Sequence, residues 1–308
     1  MESNHSTSGR SVHPFWKVLH FPLMRIILAI VFVGIGVAAA EVLIALLRLA
    51  FALSSPLPIA FDLFEIILAV LAVYGAYYTY VHLIEQRPVT ELSRDGVGGL
   101  GLGILIGAGL FALVIGILWL LGVYHVTGTN DWSVLIGAMV ADVPSAFVQQ
   151  IIFQAIIFRI TEEVVGTWWA LVITVLLFVL FHLISAQITV ASLLADAVGG
   201  LLFTSAYILT RKLWLPIGLH TALDFTKDGI FGAGVIGTSG LALKGLLQSN
   251  LTGSVLLTGG ASGAQASLIA SLVLLGTGAV LLLRATQKAM IVQPSWQRER
   301  ASPAIRRE

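Results

Sequence analysis

Apolar stretches of membrane-spanning length recur from residue 22 to residue 284. Inside hydrocarbon every backbone N–H and C=O must bond within the protein, which leaves helices and closed barrels as the only spanning structures. A helix needs about 20 residues to cross roughly 30 Å of hydrocarbon. Runs near 22–53, 57–84, 97–122, 133–159, 166–186, 188–210, 213–232 and 264–284 meet that length, the seventh being the most interrupted by polar residues and glycine. The expectation is an all-α polytopic membrane bundle of about eight transmembrane helices. A water-soluble globule with a polar shell is excluded, because 57% of the 308 residues are hydrophobic, only 11% are charged and the mean hydropathy is +0.96.

An even number of spans puts both termini on one side, and Lys and Arg choose which. With the N-terminus cytoplasmic, Arg10, Lys17, Arg25, Arg87, Arg94, Arg159, Arg211, Lys212, Arg284, Lys288, Arg298, Arg300, Arg306 and Arg307 fall inside, and Arg48, Lys227 and Lys244 do not. The first twenty residues are polar and contain Pro14, so the first span is expected to stay as an anchor rather than be cleaved as a signal peptide. The chain divides into a cytoplasmic tail over 1–21, three helices within 22–132, a core over 133–284 and a basic cytoplasmic tail over 285–308. Residues 1–15 and 290–308 read as mobile tails, solvated or touching anionic lipid. The glycine-rich stretch from Gly229 to Ser262 reads as an extracytoplasmic loop with partly helical or re-entrant pieces. With no cysteine, disulfides, thiolate nucleophiles and cysteine metal sites are all excluded.

Two glycine patterns overlap near the third span. Gly96, Gly98 and Gly101 fit GxGxxG, but no strand precedes them, so they do not mark a dinucleotide site. Gly99, Gly103 and Gly107 recur every four residues and predict a close helix crossing. The sequons at Asn4 and Asn250 are of the kind that arise by chance. Glu41, Asp62, Glu65, Asp142 and Asp196 lie at or within spans; those near the ends are expected to reach the interface, and none is read as functional.

A track of polar side chains runs through the later spans: Gln149, Gln150 and Gln154, then His182, then His220 and Asp224. Such groups cost free energy in hydrocarbon unless partnered, so they are expected to face a common cavity. Their text reads QQIIFQAIIFRITEE from Gln149, FVLFH ending at His182 and LWLPIGLHTALD ending at Asp224. This resembles the CAAX prenyl protease and bacteriocin-processing family of intramembrane endopeptidases, whose members carry EExxxR, FxxxH and HxxxN or HxxxD in that order. The resemblance runs over roughly 140–284 and implies a CAAX-protease-like bundle in a bacterial cytoplasmic membrane, with no cofactor and no resident metal. By that resemblance His182 assists the attacking water, while His220 and Asp224, four residues apart on one helical face, hold the oxyanion. An ionised Asp224 repels an oxyanion, so it would have to orient His220 or be protonated.

Motif one departs at every diagnostic position. Gln149 stands where the family has its catalytic Glu, Gln150 where it has the second Glu and Gln154 where it has Arg. An amide has no proton-accepting state near neutral pH and cannot act as general base. The three changes are mutually consistent, since an Arg left without its carboxylates would be an unpaired cation in a low-dielectric site. Asp142 lies about two turns or 11 Å from Gln149 along the axis, and Glu162 and Glu163 about 20 Å away at an interfacial helix end. The expectation is a bundle with impaired proteolytic chemistry that still receives a peptide or lipidated protein segment among membrane lipids, and no nucleic acid. An active endopeptidase using His182, His220 and Asp224, or a metal held by those three, stays open. A transporter would call for paired intramembrane charges or repeat symmetry, and neither is visible in the sequence.

Overall fold

The computed structural model describes residues 21–52, 59–183, 188–233 and 245–301. Asn4, Lys244 and most of the two terminal tails lie outside them. Helices α1 (Pro22–Ala52) and α2 (Ile59–Tyr80) pack together, and α2 continues into a π-helical turn, Val81–Glu85. Then come α3 (Gly98–Leu120), β1 (Tyr124–Thr129) and α4 (Val134–Gln150), which passes through a π-helical stretch, Ile151–Phe158, into α5 (Arg159–His182). After α6 (Val190–Thr210) and α7 (Trp214–Phe225), a second π turn spans Thr226–Ile230. The described chain ends with β2 (Leu247–Leu251), α8 (Leu268–Gln287) and α9 (Ser295–Ala301).

Among the described residues six helical stretches are long and apolar enough to cross a membrane, where the sequence predicts about eight spans. Two differences account for this. The predicted spans 133–159 and 166–186 form one 49-residue stretch, Val134–His182, broken at Gly166. Gly166 has φ 78° and ψ 170°, and a Cβ there would lie 2.8 Å from Pro294 N and 2.9 Å from Val292 O, so only glycine allows the chain to turn against this strap. The predicted span 213–232 contains an α-helix of only 12 residues, α7, followed by a π turn of 5. The outward faces are apolar: Leu105 is 74% exposed and Leu176 63%, as suits contact with lipid tails. The protein is an integral all-α membrane bundle.

Helices α3 and α7 meet almost backbone to backbone. A Cβ on Gly103 would sit 2.4 Å from Leu215 O, one on Gly107 2.5 Å from Leu219 O, and one on Gly218 2.3 Å from Leu100 O. The repeat at Gly99, Gly103 and Gly107 is thus a close crossing, as the spacing predicts, and it presses α7 into the middle of the bundle. The loops at one end carry a feature absent from the sequence reading, the antiparallel pairing of β1 with β2, irregular between Val126 and Gly128.

The opposite end is held by ion pairs. Glu85 accepts from Arg25 Nη2 at 2.6 Å, Arg87 Nε at 2.7 Å and Arg159 Nη2 at 2.7 Å, while Glu163 pairs with Arg25 and Arg159. Arg87 also holds Glu91, which accepts from the Tyr77 hydroxyl as well. Glu162 is buried and paired with Arg211, so Glu162 and Glu163, placed by the sequence at an interfacial helix end, join neighbouring helices there. The chain from 290 to 301 corrects the expectation of a mobile tail over 290–308. Thr167 N donates to Val292 O at 3.0 Å, Val292 N donates to Thr167 Oγ1 at 2.8 Å, and Arg298 Nη2 donates to Glu163 O at 2.5 Å. The backbone donors and acceptors exposed at the Gly166 break are satisfied by this strap.

Candidate functional site

Four of the six polar residues read from the sequence converge. Gln149 from α4, His182 from the end of α5, and His220 and Asp224 from α7 all line one cavity of about 190 Å³ enclosed by α3 to α8. Gln150 and Gln154 lie behind this wall, both fully buried. The glutamines straddle the junction of α4 with the π-helical stretch, a local widening of the helix that recurs at functional sites and that no sequence pattern announces.

Each imidazole is held in a defined orientation. His182 Nδ1 donates to Phe178 O at 2.8 Å, one turn back, and its ring lies 4.6 Å from the Phe178 ring. A carbonyl only accepts, so the proton sits on Nδ1 and Nε2 presents a lone pair. His220 stacks on Phe203 with ring centroids 4.2 Å apart. The Gln150 amide Nε2 donates to His220 Nδ1 at 2.8 Å, which leaves the His220 proton on Nε2, 3.1 Å from Asp224 Oδ2. Gln154 Nε2 donates to Thr204 Oγ1 at 3.2 Å and Gln149 Nε2 to Ser145 Oγ at 3.1 Å. All three glutamines leave a buried Oε1 without a hydrogen-bond partner.

The site is not the uncharged cluster that the three amides suggest. Lys227, weighed in the sequence only as a cation off the cytoplasmic side, lines the cavity and donates to Asp224 Oδ1 at 2.8 Å, with Asp228 Oδ2 at 3.3 Å. The signal was present in the spacing: Asp224, Lys227 and Asp228 stand at i, i+3 and i+4, one face of a helical turn. Asp196, read as an interfacial group, also lines the cavity, on the α6 face that carries Gly199 and Phe203. Asp142 stays outside the lining, buried, with Oδ2 unpartnered. Charge pairs on the apolar helices, absent from the sequence reading, are therefore real: Asp224 with Lys227 at the cavity, and the half-exposed Arg48 of α1 with the buried Glu65 of α2.

This geometry limits the chemistry. Asp224 has one oxygen engaged by His220 and the other by Lys227, so neither His220 Nε2–H nor Asp224 is free to meet an oxyanion. Both His220 nitrogens are engaged within the protein, so His220 has no lone pair free for a metal. No group of three or more His, Cys, Asp or Glu side chains among the described residues is gathered to hold one. A second cavity, about 600 Å³ and mostly apolar, lies between α1, α2 and α4, and Gln149 lines it too. Gln149 is thus a wall common to the polar chamber and an apolar one.

Residues 130–226 match the family model described as Rce1-like, type II CAAX prenyl endopeptidase Rce1-like. The match takes in all three motif positions and ends just before Lys227. No curated protein and no solved structure matches the chain.

Proposed function

We propose that this integral membrane protein of the CAAX-protease type binds a peptide or lipidated protein segment at its polar cavity without efficient proteolysis. One observation carries the reading: the cavity wall holds the Gln149 amide where the family resemblance calls for the water-activating carboxylate. Losing a general base typically costs on the order of 100-fold to 10,000-fold in rate. The closed chain Gln150–His220–Asp224–Lys227 supports the same conclusion, because its polar atoms serve one another rather than a reacting carbonyl. The adjoining apolar chamber supports an occupant with an apolar chain, its polar end reaching past Gln149.

The cluster of arginines at one end of the bundle, Arg25, Arg87, Arg159 and Arg211, supports a cytoplasmic placement of that end and of both termini. A bacterial cytoplasmic membrane is the expected setting. A second reading, an active endopeptidase, draws on the Asp196 carboxylate, which faces the same cavity as His182. The two part experimentally. Purified protein in nanodiscs is incubated with a membrane-tethered peptide library, and retention and cleavage are scored separately by mass spectrometry. Retention without new peptide termini supports the binding reading, and termini that vanish in Asp196→Asn support the second.

A further inference from the structure

Three side chains that line the polar cavity each carry a hydrogen-bond acceptor that no donor among the described residues satisfies. Gln149 Oε1 is buried and unpartnered, while the amide nitrogen donates to Ser145 Oγ. His182 Nε2 carries a lone pair, because Nδ1 is spent on Phe178 O. The Asp196 carboxylate lines the cavity, and no hydrogen bond or ion pair within the described residues reaches it. Among the described residues Lys227 is the one Lys or Arg on the wall, and it is engaged by Asp224 and by Asp228, so it neutralises carboxylates and is not free to hold an anion. Acceptors without donors inside the bundle are costly, whether fully buried as at Gln149 Oε1 or half-buried as at His182 and Asp196, and a site built from them selects an occupant that brings the donors.

An amide or hydroxyl brings one or two N–H or O–H groups and no charge to offset Asp196. A primary ammonium brings three donors and a positive charge on a compact head. The cavity, about 190 Å³, is several times the roughly 30 Å³ share of one liquid water, enough for such a head and the carbon chain beside it. We infer that the cavity is a primary-ammonium site, with Asp196, His182 and Gln149 as the acceptors of its three N–H donors. The inference rests on the binding reading above and names the chemistry of the group bound. A lysine side chain, a free peptide amino terminus and an ethanolamine lipid headgroup share that chemistry.

The test uses the full chain in phosphatidylcholine nanodiscs, titrated calorimetrically with n-butylammonium and with n-butyltrimethylammonium, which has the charge but no N–H donors. The expected result is saturable binding of n-butylammonium at least tenfold tighter, with the preference abolished in Asp196→Asn. That variant is close to isosteric and loses no protein partner, and His182→Phe, which removes a different acceptor, weakens the same binding. Equal binding of the two cations, or a preference that survives Asp196→Asn, overturns the inference. Two further arms separate the sources: the peptides acetyl-Ala-Ala-Lys-Ala-Ala-amide and its norleucine counterpart, and nanodiscs enriched in phosphatidylethanolamine. Equal binding of both peptides leaves the peptide-binding reading standing and overturns the ammonium site. Competition by phosphatidylethanolamine with both peptides silent supports the ammonium site and removes the peptide reading.

Discussion

The Gln150 amide donates to His220 Nδ1 across 2.8 Å, and this single contact sets which nitrogen of His220 carries its proton. The proton is on Nε2, facing Asp224 Oδ2 at 3.1 Å, and Lys227 closes the series on Oδ1. Family resemblance assigns the Gln150 position to a carboxylate. Here an amide at that position and a lysine beyond the end of the matched segment satisfy the histidine and the aspartate from opposite sides.

Gln150→Leu removes the donor and leaves His220 Nδ1 buried without a partner. Thermal unfolding in detergent is expected to show a loss of about 1–3 kcal/mol, the usual cost of an orphaned buried polar atom. Gln154→Met serves as its control. Gln154 makes one bond, at 3.2 Å, and already leaves its own Oε1 unpaired, so its replacement is expected to change stability by less than about 1 kcal/mol.

Lys227→Met strands the Asp224 carboxylate beside Asp228. Breaking a buried ion pair from one side costs about 3–5 kcal/mol, and the partial exposure of Asp224 places the expected loss at or below the lower end. Asp224→Asn in the Lys227→Met background is expected to recover most of that loss. A double-mutant cycle by thermal unfolding reads the coupling directly.

The crossing of α3 with α7 tolerates no side chain at its centre. Gly103→Ala places a Cβ against the carbonyl of Leu215, which is backbone and cannot swing aside, so a loss of about 1–3 kcal/mol is expected. Gly109→Ala lies on the same helix with nothing within 4 Å of the added carbon. Its expected effect is neutral or slightly stabilising, since alanine forms helix better than glycine by about 1 kcal/mol.

Glu91, in the turn after α2, titrates with folding. Burial pushes its carboxyl up, but the hydrogen bonds and charge of Arg87, the Tyr77 hydroxyl and Arg159 outweigh it and hold it below the usual carboxylate range. A depressed folded value gives stability that is present above the unfolded value of about 4.3 and lost as pH falls through the folded one. Melting temperature measured between pH 6 and pH 3 is expected to drop, with a shallower slope in Glu91→Gln.

The sequence made much of this architecture legible, for physical reasons that differ between elements. Gln149, His182, His220 and Asp224 could be grouped in advance because a polar side chain in an apolar span has to find company, and they do share a cavity. The glycine repeat announced the α3–α7 crossing, because only glycine permits backbones so close. Lys227 was hidden because, although it falls within the predicted span 213–232, it counts in the sequence only as a charge for orientation. Its i+3 relation to Asp224 was the clue. Asp196 was hidden because one acid near a helix end is ordinarily a group reaching for the interface, and its face is defined only once α6 is packed. The Gly166 break and the strap behind it could not be read, since two adjacent spans and one broken stretch have the same hydropathy. The π-helical stretch under the glutamines leaves no periodic trace at all.

The central claim is that the chamber keeps its binding surface while lacking an efficient base for water. The most direct measurement is mass-spectrometric detection of new peptide termini under single-turnover conditions, with purified protein in excess over a membrane-tethered peptide library and His182→Ala run in parallel. The account predicts the same background of termini from both proteins. Cleavage by the unaltered chain that disappears in His182→Ala contradicts it.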